Sequence, residues 1–99
     1  VNPQKLMKQF QAAQERLQEE IAALTIEASA GGGMVKVAMD GQKSLRRLEI
    51  DPEVVNKDDV EMLQDLITAA VNEASRKVDA AIQEKIGTLT GGMKIPGLF

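Results

Sequence analysis

Four lysines stand out because no nearby carboxylate neutralises them: Lys5, Lys8, Lys85 and Lys94. On a helix, a cation with an acid three or four residues away commonly pairs with it. Arg16 has Glu19 and Glu20 at those offsets, Arg76 has Glu73 and Asp79, and Lys77 has Glu73, so these read as a self-neutralised, solvated face. Lys5, Lys8 and Lys85 have no acid at either offset, and Lys94 lies in a glycine-rich tail. Ammonium groups left in this state suit contacts with a polyanion backbone, which are salt-sensitive and only weakly dependent on base sequence. Lys36, Arg46 and Arg47 form a second basic group. Glu27, Glu49 and Asp51 are placed to pair with it across or along strands, which makes it the second choice.

Other chemistries fail on residue type. The chain has no His and no Cys, so it lacks the commonest general base, a thiolate nucleophile and the usual zinc ligands. Its serines and threonines sit in no Ser-x-x-Lys or nucleophile-elbow pattern. An enzyme is not expected, nor a cofactor or a small-molecule substrate. Gly31-Gly32-Gly33 is followed by neither Lys-Ser/Thr nor a helix, so it reads as a plain loop rather than a phosphate cradle. The acids Asp51, Glu53, Asp58, Asp59 and Glu61 do not have calcium-loop spacing, and helix capping accounts for them; no metal is expected. There is no Trp or Tyr and only two Phe, so base stacking on aromatic platforms is excluded as a mode of nucleic-acid binding.

Charge is distributed unevenly. The net charge is −3, which argues against a nucleic-acid binder when taken whole. The acid is concentrated in residues 49–72, which sum to −6, while residues 36–48 sum to +3, so local basic surface survives. With 99 residues, 43% hydrophobic and 27% charged, the chain is one small folded domain. It has no signal-peptide core and no apolar run long enough to span a membrane. A cytoplasmic protein without a membrane partner is expected.

The elements that must position the lysines follow from hydrophobic period. Leu6, Phe10, Ala13, Leu17, Ile21 and Leu24 fall in one stripe about 80° wide at ~100° per residue, which predicts a helix over Pro3–Leu24 with Asn2 as N-cap. Strands are expected over Leu24–Ser29, Met34–Asp40 and Ser44–Asp51, with Asp40-Gly41 turning the second hairpin. Val35, Val37 and Met39 share one face of the sheet, with Lys36 and Asp40 on the other. The helices are the only cover for the apolar face. Asp58 is the expected N-cap of a second helix, Asp59–Ile86, with Glu61 completing a capping box. That helix stops at Gly87, or at the latest at Gly91-Gly92.

The class is therefore α/β of the α+β type: helix, three-stranded antiparallel meander, long helix, in one domain over residues 1–99 with a flexible tail from about 88. A 28-residue helix is about 42 Å long, whereas a compact chain of this size is roughly 35 Å across. The mismatch predicts a homodimer. If the helices run antiparallel, Lys5, Lys8, Lys85 and Lys94 share one tip.

Several strings carry a family resemblance: LMKQFQAAQERLQEEIAAL, GGGMVKVAMDGQKSLRRLEIDPEVV, DVEMLQDLITAAVNEASRKV and TGGMKIPG. Together they closely resemble the YbaB/EbfC family of bacterial nucleoid-associated proteins over essentially the whole chain. The most specific part runs from Arg46 to Pro52, followed by Glu61-Met62-Leu63-x-Asp65-Leu66. The resemblance implies a homodimer whose long helices project like tweezers. It also implies binding of double-stranded DNA, with bending or bridging in the nucleoid and effects on gene expression. It supplies no compact residue signature, so the lysine assignment rests on charge alone. The segment before the first helix is very short; a basic arm there is expected to be missing or trimmed. The alternative function is an acidic protein-interaction adaptor or chaperone-like clamp that does not bind DNA.

Overall fold

The computed structural model describes residues 2–89. The order is α1 (Pro3–Ala22), β1 (Thr25–Ala30), β2 (Val35–Asp40), β3 (Leu45–Ile50), a 3-10 turn at Pro52–Val54, and α2 (Val60–Leu89). The strands form an antiparallel sheet in the order β1-β2-β3. This is the expected helix, meander and long helix.

Local chemistry explains the boundaries. Asn2 Oδ1 accepts from Gln4 N at 3.0 Å and Pro3 occupies the first turn, so α1 starts where expected. It ends at Ala22, two residues short of Leu24, because the chain must turn to enter β1. At α2 the cap is Asp59, not Asp58: Asp59 Oδ1 accepts from Met62 N at 3.2 Å. Asn56 is the reason. Its side chain accepts from Asp58 N and its carbonyl from Asp59 N, forming a turn that delivers the next residue to the cap position. The third helical residue is then Met62, so Glu61 closes no capping box. Gly87 does not stop α2. The helix continues to Leu89, with Thr88 Oγ1 donating to the Glu84 carbonyl, so residues 88 and 89 belong to the helix rather than to a tail. Residues 90–99 lie outside the described residues.

The two glycine turns differ from each other in cause. Gly31, Gly32 and Gly33 all have positive φ, as a loop joining β1 to β2 requires. In the β2–β3 turn the left-handed residue is Lys43 (φ 65°), not Gly41. Asp40 Oδ1 accepts from Gln42 N and Ser44 N, giving a three-residue loop rather than a two-residue Asp-Gly turn. Gly41 is needed for space instead: a Cβ there would lie 1.7 Å from the Ile21 carbonyl oxygen, where the hairpin tip meets the end of α1.

The core lies between α2 and the sheet. Ala28, Val35, Val37, Met39, Ala70, Ala74 and Val78 are buried, with Ile26, Ile50, Leu63, Leu66, Ile67, Val71 and Ile82 packed around them. Ala70, Ala74 and Val78 recur every fourth residue, and their small size lets the helix backbone approach the strands closely. Ala38, on the opposite face, is also buried. Glu27 and Arg47 flank it in register, and their ion pair closes over it.

Both helices were expected to cover the sheet; only α2 does so. It lies over β1 and β2. A helix is about 10–12 Å wide with its side chains and strands are about 4.8 Å apart, so one helix covers about two strands. β3 falls outside that width, and Leu45 and Leu48 remain 44% and 42% exposed. α1 buries no residue at all. It projects from the body, and the molecule measures 68 × 21 × 17 Å with a radius of gyration of 18.6 Å. A compact chain of this length would have about 13 Å.

Candidate nucleic-acid interface

The projecting arm is built from α1 and the outer part of α2. The two helices run antiparallel along a groove of about 640 Å³, lined by Ala13, Arg16, Leu17, Glu20 and Leu24 on one side and Ala81, Glu84, Lys85 and Thr88 on the other. Lys85 is half-buried in this groove. Lys5 and Lys8 are exposed on the outer half of α1, beyond the part that shares the groove. Lys8 stands about 8 Å further along the axis than Ala13, at 1.5 Å per residue. Lys5, Lys8 and Lys85 thus occupy the same arm, with Lys5 and Lys8 outermost. Lys94 lies outside the described residues.

Among the described residues, Lys5, Lys8 and Lys85 enter no ion pair closer than 4 Å, whereas most of the hairpin cations do. Arg47 pairs with Glu27 at 3.0 Å and with Glu49 at 3.2 Å, spanning from β3 to β1. Arg46 lies 3.8 Å from Asp40. Lys43 reaches Asp79 on α2 at 2.8 Å. Lys36 is exposed without such a partner. Asp51 does not join these pairs; its carboxylate accepts from Glu53 N and caps the 3-10 turn. The hairpin patch is therefore largely internally neutralised, as its spacing suggested.

The helix pairs hold less uniformly. Arg76 donates to Glu73 at 2.6 Å and holds that carboxyl below its ordinary 4.5, chiefly by this hydrogen bond and then by its charge. Asp79 instead turns to Lys43, and Lys77 donates to the Glu27 carbonyl at 3.3 Å. Arg16 was expected to pair with Glu19 and Glu20. It forms no such ion pair and faces the groove that holds Lys85. Sequence spacing missed it because offset makes a pair possible without fixing the rotamer. The visible signal was its position one residue from Leu17, on the edge of the apolar stripe.

The YbaB/EbfC DNA-binding family model matches residues 2–93. The chain belongs to the YbaB/EbfC DNA-binding family. It is 52% identical over 101 residues to a nucleoid-associated protein of Pelotomaculum thermopropionicum, covering 99% of this chain and 96% of that protein. It is 55% identical over 102 residues to a nucleoid-associated protein of Acetivibrio thermocellus, covering 99% and 90%. The crystal structure of the uncharacterized protein HP0035 from Helicobacter pylori shares the fold, with a TM-score of 0.74 and 22% identity over 91% of this chain and 98% of that one. Helix, meander and long helix are thus the frame of a YbaB/EbfC protein. No helix among the described residues is long and apolar enough to cross a membrane.

Proposed function

We propose that this YbaB/EbfC protein acts as a homodimer that binds double-stranded DNA through backbone contacts, alters its conformation in the nucleoid, and so affects gene expression. The observation that carries the reading is the placement of Lys5 and Lys8 at the outer end of an arm, exposed and without an ion-pair partner among the described residues. Two such arms on a dimer would present two basic ends to a duplex. The net charge of −3 is compatible with this, because the acids of residues 49–72 lie on β3, the following turn and the start of α2, where Asp51 and Asp59 act as caps and Glu49 pairs with Arg47, away from the arm's end.

Dimerisation is supported by what one copy leaves uncovered. Leu45 and Leu48 lie on the same face as Met39 and Val37, yet α2 does not reach them. β3 is also a sheet edge with unpaired backbone groups. A second copy is a natural cover for this surface, and it would steady two helices that extend past their own body. Sedimentation should give a dimer, and Leu48→Glu should give a folded monomer. A compact monomer at every concentration would remove this part of the reading.

Gel shifts with duplex DNA test the binding. With about six phosphate contacts, affinity should fall about a thousandfold between about 50 and about 200 mM salt. Joint replacement of Lys5, Lys8 and Lys85 by Glu should abolish the shift while the dimer persists. Unchanged affinity would move the contact to Lys36, Arg46 and Arg47. No binding even at low salt would end the proposal.

A further inference from the structure

The outer half of α1 carries more than lysines. Residues 2–14 contain no acid; the first in the chain is Glu15. Gln4, Met7, Gln11 and Gln14 recur at spacings of 3, 4 and 3, and at ~100° per residue they fall in one arc about 80° wide. Lys8 borders this arc on one side and Phe10 on the other, each about 40° further round the helix. All six side chains are exposed, Met7 and Phe10 at 63% and 64%. Among the described residues, the three glutamine amides have no hydrogen-bond partner. Leu6, Met7, Phe10, Gln11 and Gln14 line a shallow cavity of about 400 Å³, so apolar and amide groups share one concave surface.

Shape and charge indicate what this surface fits. The groove shared with α2 reaches outward along α1 only to Ala13, so among the described residues the turns before it form a single free helix. One helix with its side chains is about 10–12 Å wide and enters the major groove of duplex DNA, which is about 12 Å wide. From Gln4 to Gln14 is about 15 Å along the axis, roughly the rise of four base pairs. A glutamine amide both donates and accepts, which matches the N6 donor and N7 acceptor of adenine; the thymine methyl group in the same pair takes an apolar contact. Guanine presents two acceptors there, so a glutamine amide meets it with one bond at most. With no carboxylate on these turns, phosphates on either wall of the groove meet no like charge, and Lys8 at the border of the arc is placed to reach one of them.

We infer that Gln4, Gln11 and Gln14 read adenine in the major groove while Met7 and Phe10 meet thymine methyl groups, so that the end of the arm prefers A·T pairs to G·C pairs. The inference rests on the functional reading above and adds base readout to the backbone contacts of Lys5 and Lys8.

Base analogues give the test. Affinity at low salt is measured for an A·T duplex, a G·C duplex of equal length, and A·T duplexes carrying 7-deazaadenine for adenine or uracil for thymine. These analogues remove the N7 acceptor and the methyl group from the major groove and leave the minor-groove edges unchanged. The A·T duplex should bind about tenfold more tightly than the G·C duplex, and either analogue should remove most of that margin. Gln11→Ala with Gln14→Ala, both compatible with an exposed helix, should bring the A·T duplex down to the G·C level and leave the weaker, salt-sensitive binding in place. Equal affinity of the wild type for both duplexes would overturn the inference and leave the functional reading standing. A preference that survives the analogues or the double variant would do the same, since it would come from duplex shape or the minor groove. If the double variant lost self-association in sedimentation, the surface would belong to a second copy and the inference would fall. No binding to any duplex would remove the functional reading and this inference together.

Discussion

The body and the arm of this protein use helices in opposite ways. In the body, α2 sets Ala70, Ala74 and Val78 against the sheet, each 0% exposed. In the arm, α1 has twenty residues and buries none. Both helices are amphipathic by sequence, so hydrophobic period alone does not separate them. The difference is what lies opposite. α2 faces two strands whose side chains interdigitate with its small residues, whereas α1 faces the outer surface of one helix along a narrow seam. The body is therefore the source of stability, and the arm is a device held out from it. A binding surface made of exposed cations is compatible with the second arrangement and would be costly in the first, where desolvation penalises charge.

The sharpest way to break this comparison is to overfill the body. Ala74→Leu inserts a larger side chain where the helix meets β1 and β2, and should cost about 2 kcal/mol. For a chain of this size that is a fall in melting temperature of about 10 °C by circular dichroism. A wild-type melting temperature would mean that the helix–sheet contact is not the close-packed part. The matching change in the arm is Leu17→Ala. It should cost about 1 kcal/mol, below the 2–5 of a fully buried leucine, because Leu17 is only half-buried. Hydrogen exchange should sharpen the contrast: α1 amides should exchange by local opening, while the middle of α2 exchanges only on global unfolding.

The smallest effect is electrostatic. Glu73 is held below its ordinary value in the folded chain, first by its hydrogen bond to Arg76. Such a group contributes stability above its unfolded pKa and loses it as pH falls through the folded one. The pair is exposed, so the contribution is slight. Arg76→Gln should flatten the acid side of the stability–pH curve a little, measured by urea unfolding at several pH values, and leave the neutral-to-alkaline side parallel to wild type.

Much of the fold was legible in the residues. The stripe of α1, the alternation of Val35, Val37 and Met39, and the length of α2 each follow from a period, and the observed elements agree with them to within a few residues. The errors each concern one or two residues and have different causes. Asp58 and Asp59 are both competent caps, and the choice between them was made by Asn56, whose side chain organises the preceding turn. Gly41 looked like a turn glycine, but its reason lies at Ile21, far away in sequence. For the candidate interface, offsets of three and four residues anticipated that Lys5, Lys8 and Lys85 enter no ion pair among the described residues and that Arg76 pairs with Glu73. They misjudged Arg16, which has acids at the right spacing and forms no ion pair with either.

The sequence by itself determined the elements, their order and the family, because periodicity, caps and turn residues act between near neighbours along the chain. Only the tertiary structure decided which surfaces stay open. One helix is wide enough for two strands and not for three, so β3 stays exposed except at Ile50. Among the described residues, the antiparallel course of α1 and α2 leaves the outer turns of α1 without a partner. Both outcomes depend on distances between segments far apart in the sequence, which local pattern does not encode.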